Sequence, residues 1–335
     1  MQIFKHPNYN FLKYRWHALF LSWAIIIAGI AMVWIRGLPE GIEFQGGTAV
    51  ILQFDKTPGT DQVRAALDRN FPGGGGNIVV QSYGPPSSRE VMVRVPQVGK
   101  EAGTELSQTA RAVTAALKKA DLGNFTEIGS EVVGPSVGQD LKRKGILATA
   151  LSLAGILIYI AMRFQLSFAV GAIVASIHDL LITMAFLAFF GYDLTLNVIA
   201  AVLTLTGYSM NDTIVIFDRV RENLRGMRRD NISDVVNVAV NQTLNRTIIT
   251  GGTTMLSVVA LFLFGGEVLH GFAFTMIVGV ITGTYSSVFI AAAIVTFWHQ
   301  GAARAKGAVG APTGPTSPQT APRARAKTQR KARAS

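Results

Sequence analysis

Six apolar runs set the pattern of this chain: Leu19–Ile35, Gly145–Met162, Phe168–Phe190, Leu194–Ile216, Thr247–Phe264 and Phe272–Trp298. A helix needs about 20 mostly apolar residues to cross the hydrocarbon core of a bilayer. Each run reaches that length, the first with its flanks included. The pattern therefore predicts a polytopic α-helical membrane protein with six spans, and an even number of spans leaves both termini on one side. The first run follows a basic segment (Lys5, Lys13, Arg15) and leads into Arg36-Gly37-Leu38-Pro39 without a small-x-small cleavage site. That combination reads as an uncleaved signal anchor.

Between the first two runs the periodicity changes. It predicts a strand over Ile42–Phe54, a helix over Thr60–Phe71 and strands over Asn77–Tyr83 and Glu90–Val95, then a helix over Glu101–Ala120 and a strand over Phe125–Val133. Val63, Ala66, Leu67 and Phe71 recur at helical spacing, whereas Val91, Val93 and Val95 alternate with Met92 and Arg94. Pro72-Gly73-Gly74-Gly75-Gly76 and Gly84-Pro85-Pro86-Ser87-Ser88 carry turn chemistry. The order βαββαβ is that of a ferredoxin-like α+β unit, inserted after the first span. The chain thus divides into residues 1–36 (N-terminus and first span), 37–140 (the inserted domain), 141–299 (five spans, with a loop at 217–246) and 300–335 (a tail). Within that loop, Val235, Val236, Ala239, Val240 and Leu244 interleave with Asn237, Asn241 and Gln242. The pattern predicts an amphipathic helix over Ser233–Asn245 lying on the membrane interface or docking a partner.

Composition agrees: 49% of the residues are hydrophobic and 15% charged. The net charge of +11 resembles a nucleic-acid signal until it is located, because residues 299–335 hold eight Lys and Arg and no acid. A basic Pro/Ala/Thr-rich tail reads as a disordered end near anionic lipid, with no specific nucleic-acid partner. The short loops sort by charge. Arg163 follows the second span, and Arg219, Arg221, Arg225, Arg228, Arg229 and Arg246 fall between the fourth and fifth, whereas Gly191–Asp193 and Gly265–Gly271 contain no Lys or Arg. By the positive-inside rule both termini are cytoplasmic and the inserted domain lies on the far side. Cysteine is absent, which excludes disulfides and thiolate metal sites. With no P-loop lysine, HExxH or Gly-x-Ser-x-Gly motif, the chain offers no nucleotide, metal or acyl-transfer site, so no enzymatic activity or cofactor is expected. Work has to come from an ion gradient, at about 2.3 kcal/mol per charge per 100 mV.

The candidate chemistry is the set of ionisable residues inside the spans. Placing a charge at the centre of a membrane helix costs about 2.5–3.5 kcal/mol on insertion scales, which makes each one a functional hypothesis. Asp212 lies seven residues before Arg219, about 10 Å along a helix, on the cytoplasmic half of the fourth span. Tyr208 and Ser209 share its helical neighbourhood and Asn211 adjoins it. The carboxylate either binds and releases a proton or joins helices as a static polar contact. Arg246 opens the fifth span with Thr250 and Thr253 on its face, either as partner to Asp212 or as an anchor snorkelling to the headgroups. His178-Asp179 is a second intramembrane pair, which relays protons or satisfies itself structurally.

Several stretches resemble the SecF subunits of bacterial SecD–SecF protein-export complexes. Gly41-Ile42-Glu43-Phe44-Gln45-Gly46-Gly47-Thr48 is similar to the family's Gly-x-Asp-Phe-x-Gly-Gly-Thr, with Glu43 in place of Asp. Val133-Gly134-Pro135-Ser136-Val137-Gly138, Ser176-Ile177-His178-Asp179, the run Gly207–Asn223, Arg246-Thr247-Ile248-Ile249-Thr250 and Gly283-Thr284-Tyr285-Ser286-Ser287 complete the likeness. The resemblance implies half of an RND-type transporter fold with a periplasmic ferredoxin-like insert, in the bacterial inner membrane. It also implies pairing with SecD, association with the SecYEG channel, and use of the proton gradient to help translocating polypeptide leave on the periplasmic side. Asp212 is then the proton carrier and Arg246 its assistant. The alternatives are RND-type efflux of small molecules or lipids, and a passive assembly scaffold without ion coupling.

Overall fold

The computed structural model describes residues 7–309 apart from 57, 73–77, 84–87, 97–102, 121 and 228, and all six apolar runs are helical in it. Helix α1 (Arg15–Arg36) enters a small α/β unit made of α2 (Ile42–Gln45), β1 (Gly47–Phe54), α3 (Thr60–Asn70), β2 (Val79–Tyr83), β3 (Glu90–Pro96), α4 (Gly103–Lys119) and β4 (Phe125–Val133). The chain then returns through α5 (Pro135–Arg163), α6 (Leu166–Phe190), α7 (Leu196–Gly226), α8 (Ile232–Phe264), α9 (Gly266–Ser286) and α10 (Ala292–Val309). A π-helical segment, Ser287–Ala291, joins α9 to α10 without a break, so Val268–Gln300 acts as one span. Among the described residues six helices are long and apolar enough to cross a membrane.

Local chemistry sets the ends. Gly191 adopts the left-handed conformation (φ 69°) that terminates α6. Thr195 caps α7 by accepting from the Val198 N–H, and Asn231 caps α8 by accepting from the Ser233 N–H. Pro135 at the first turn starts α5, where its missing N–H has no cost. Small residues let the helices close up: a Cβ on Gly279 would stand 2.8 Å from the Leu205 side chain, and one on Gly283 2.8 Å from the Ser209 Cβ.

The sheet is antiparallel throughout, in the order β2-β3-β1-β4, the split βαβ arrangement expected from the element order. Its core joins Leu52, Phe54, Val91 and Val93 to Val63, Leu67, Val113 and Leu117 of the two helices, all at 1% exposure or less. Each such side chain contributes about 1.5–3 kcal/mol by leaving water.

Three expectations need correction. The strand predicted from Ile42 begins only at Gly47, because Ile42–Gln45 forms a helical turn and Gly46 and Gly47 take φ of 74° and 137°. The surface helix predicted over Ser233–Asn245 is the first part of α8, and the loop predicted at 217–246 is helical as far as Gly226 and again from Ile232. No glycine or proline interrupts the chain at Arg246, and Val235, Val236, Ala239 and Val240 are buried, the last three in the core of the bundle. Their polar partners hold the N-terminal segment: Asn241 accepts from the Tyr9 N–H at 2.9 Å, and Asn237 accepts from the Phe11 N–H at 2.9 Å. The tail predicted to be disordered from residue 300 is helical as far as Val309. The remainder of the tail, the glycine run 73–76, the turn residues 84–87 and Arg228 lie outside the described residues.

The α/β unit is fastened to the loop ends of the bundle. The Gly41 N–H donates to the Leu194 carbonyl and the Leu194 N–H to the Pro39 carbonyl, both at 2.8 Å. Arg94 of β3 pairs with Asp193 in the α6–α7 loop, and Lys142 of α5 pairs with Glu40 at 2.5 Å. Glu43 lies beside this joint, and burial raises its carboxyl above the ordinary value of 4.5. Glu131 pushes in the same direction, while Arg94 and backbone N–H groups oppose it.

Candidate functional site

Asp212 of α7 is 2% exposed, and its Oδ2 has no hydrogen-bond partner among the described residues. The buried Tyr208 hydroxyl one turn earlier, Thr247 Oγ1 on α8 and His178 Nε2 on α6 are likewise without partners. Leaving a buried polar group unsatisfied costs about 1–3 kcal/mol, so each of these atoms calls for an explanation. Arg246 and Tyr208 are within electrostatic range of Asp212, yet Asp212 and Arg246 do not close to an ion pair. Thr254 and Thr284 lie near the Tyr208 hydroxyl, but neither bonds it with acceptable geometry. Thr250 is turned back on its own helix and donates to the Arg246 carbonyl at 2.5 Å.

Asp179, also 2% exposed, is the opposite case. Its Oδ2 accepts from Ser209 Oγ of α7 at 2.5 Å and from Ser286 Oγ of α9 at 2.9 Å, and its Oδ1 faces His178 Nδ1 at 3.1 Å. One carboxylate thereby joins three helices, and Ser209 is three residues from Asp212 on the same helix. Just beyond, Thr213 and Ser287 share a hydroxyl–hydroxyl bond of 2.8 Å. Sequence reasoning named Asp179 and Ser209 separately; the structure joins them. It passed over Ser286 and Ser287 as members of the network, although two adjacent hydroxyls in an apolar span were the available signal.

Asn211 points away from this network. With Thr204 on α7 and Arg246, Thr253 and Ser257 on α8, it forms an exposed polar stripe along helices otherwise fit for lipid. Gly207 and Gly252 on these two helices face open space, where an added Cβ would meet nothing within 4 Å. The hydroxyls of Thr204, Thr253 and Ser257 donate to carbonyls of their own helices, so Asn211 and Arg246 are the groups for which hydrocarbon is a poor solvent. Among the described residues no three His, Asp or Glu side chains come together as a metal site.

Comparison with known proteins covers most of the chain. The family model described as protein export membrane protein SecD/SecF, C-terminal, matches residues 112–301, and the SecD/SecF GG motif matches residues 32–58. The protein translocase subunit SecF of Pseudomonas aeruginosa is 41% identical over 86% of this chain and 90% of its own length, and that of Desulfurispirillum indicum is 40% identical over 86% and 91%. The chain belongs to the SecF family. A crystal structure of SecDF from Thermus thermophilus, described as a translocon-associated membrane protein, superposes with a TM-score of 0.77 at 34% identity. The match covers 88% of this chain and 39% of that longer one. In this SecF-family chain, a multi-pass membrane protein of the protein-translocase machinery, the C-terminal match contains Asp179, Asp212, Arg246 and Ser286, and the GG-motif match contains the end of α1, α2 and β1.

Proposed function

We propose that the chain is a proton-coupled accessory subunit of the Sec translocase in the bacterial inner membrane. In this reading both termini are cytoplasmic, and the ferredoxin-like unit is periplasmic and helps polypeptide leave the SecYEG channel. The chain supplies half of an RND-type bundle and performs no bond-breaking step of its own. The observation that carries the reading is the Asp212 carboxylate, buried at membrane depth with a free oxygen and with Arg246 in electrostatic range but not bonded to it. A static helix contact satisfies its polar atoms, as Asp179 does; a site that takes up and releases a proton keeps one available.

The exposed stripe at Asn211 and Arg246 supports a SecD-type partner, since covering it removes polar groups from lipid beside Asp212. The test is polypeptide export and proton flux in vesicles carrying the assembled complex, with and without an uncoupler. Asp212→Asn, which keeps the volume and removes the charge, is expected to abolish the uncoupler-sensitive part of export and the flux together. Unchanged flux and export at normal expression would mean a passive scaffold, and isolation as a homotrimer without a SecD-type subunit would point to efflux.

A further inference from the structure

The orphan carboxylate lies on α7 within the bundle, whereas the α/β unit follows directly on α1 and is also fastened to α5 and the α6–α7 loop. A run of direct contacts connects them. Ser209 is three residues before Asp212 and bonds Asp179; Asp179 bonds Ser286; and the residue before Ser286 is Tyr285. The Tyr285 hydroxyl donates to the Ala18 carbonyl of α1 at 2.6 Å and accepts from Ser22 Oγ of the same helix at 3.2 Å. Both bonds fall on one turn of α1, where Ala18 and Ser22 are buried. The ring is stacked on His178 at 6.3 Å and 29°, so Tyr285 touches the Asp179 pair from a second direction.

What turns this chain of contacts into a device is the backbone that follows. Ser287–Ala291 is π-helical, with one residue more per turn than the flanking α-helix can hold. π-helical turns inside α-helices occur frequently at functional sites. A return of this one to regular α register would rotate Tyr285 and Ser286 against the inner half of the span. Ser287, its first residue, is held by Thr213, which is adjacent to Asp212. The carboxylate and the register-shifting segment are therefore one residue and one hydrogen bond apart.

We infer that Tyr285 is the positioning residue that transmits the state of Asp212 to α1, and through α1 to the α/β unit, with the π-helical segment as the two-state element. The inference rests on the proton-coupled reading above. It assigns Asp179 the part of a fixed pivot and Tyr285 the part of a crank pin on α1. Tyr285→Phe keeps the ring, its stack on His178 and its packing on Phe289, and removes only the two bonds to α1.

The chain contains no cysteine, so labels can be introduced singly. Spin labels at Asp61→Cys on α3 and Val268→Cys on α9, both exposed, report the separation of the unit from the bundle in the complex assembled with a cysteine-free partner. The expected result has two parts. The separation responds to an imposed proton gradient and Asp212→Asn abolishes that response, while Tyr285→Phe reduces it by about 2- to 30-fold in the equilibrium ratio and leaves proton flux intact. A full response in Tyr285→Phe overturns the inference and leaves the proton reading standing. Flux and response both unaffected by Asp212→Asn overturn the proton reading and this inference with it. If Tyr285→Phe fails to assemble, Ser22→Ala removes one of the two bonds without touching the ring, and the same two outcomes decide.

Discussion

The seam between α1 and α6 gives the most direct check on how the first helix is held. Gly29 of α1 is buried, and a Cβ there would lie 2.1 Å from the Ala185 Cβ and 2.7 Å from the Ala185 Cα. Carbon atoms touch at about 3.5–4.0 Å, so Gly29→Ala forces the helices apart by roughly 1.5 Å at that level or rotates α1. Because the obstacle includes backbone, no side-chain rotation relieves it, which puts the strain near the upper end of the about 1–3 kcal/mol typical of overpacking. Alanine is the better helix former by about 0.8–1.0 kcal/mol, which offsets part of this. The net expectation is a destabilisation of about 2 kcal/mol, read as a lower unfolding midpoint in detergent.

The reciprocal change supplies the control. Ala185→Gly removes the atom struck first but leaves the Ala185 Cα at 2.7 Å, so the double variant Gly29→Ala/Ala185→Gly recovers part of the stability that the single change loses. For residues in contact, a coupling energy of about 0.5–3 kcal/mol is the scale of that recovery. If Gly29→Ala is as stable as the parent, or the double variant is no better than the sum of the singles, α1 does not lie on α6 as described. The route from Tyr285 to the α/β unit then loses its mechanical basis.

Two further outcomes concern the joint between the α/β unit and the bundle. Asp193→Asn leaves Arg94, 8% exposed and already with an unpartnered Nε, without its carboxylate. Breaking a fully buried pair costs about 3–5 kcal/mol; this one is partly buried and opens on a cavity of about 410 Å³, so the cost falls below that range, and earlier proteolysis of the unit than in the parent is the readout. Glu43→Gln tests the sign of a titration. A carboxyl raised by burial binds its proton more tightly when folded, so its contribution is fully present below the unfolded value of 4.5 and is lost as pH rises through the folded one. The variant is therefore expected to be more stable than the parent at neutral pH, with the difference vanishing below pH 4.5; equal midpoints at both pH values would count against it.

How much of this was legible in the chain depended on the range of the interaction. Span number follows from run length alone, and the strand–helix order of the insert follows from periodicities of two and 3.6. The extent of α7 and α8 did not, because charged residues such as Arg219 and Arg246 end an apolar run without ending a helix. The short turn at Ile42–Gln45 was hidden because Ile42, Phe44 and the residues of β1 form one apolar stretch, and only the paired glycines divide it. At the candidate site the residues were recognisable one at a time, since a carboxylate in an apolar run is conspicuous. Their wiring was not. That Asp179 reaches Ser209 and Ser286 depends on three helices crossing at one level, and no spacing along the sequence encodes that crossing.

The two buried carboxylates settle what the wiring can do. Asp179 and Asp212 are equally shielded, at 2% exposure each. Their compensation differs: Asp179 accepts from two serines and faces a histidine, whereas Asp212 Oδ2 has no partner among the described residues. A satisfied carboxylate gains little from any rearrangement, so Asp179 resists movement and holds α6, α7 and α9 in register. An unsatisfied one lowers its free energy by finding a partner, whether a proton, water or the guanidinium of Arg246. The cheapest way to find one is to shift the backbone that carries it. Ser209 and Thr213 lie on that same stretch of α7, so a shift at Asp212 would pull on Asp179 and on Ser287, and through Asp179 on Ser286 beside Tyr285. In the proton-coupled reading proposed above, a free group set one helical turn from an anchored one would convert a local charge change into motion of a whole helix.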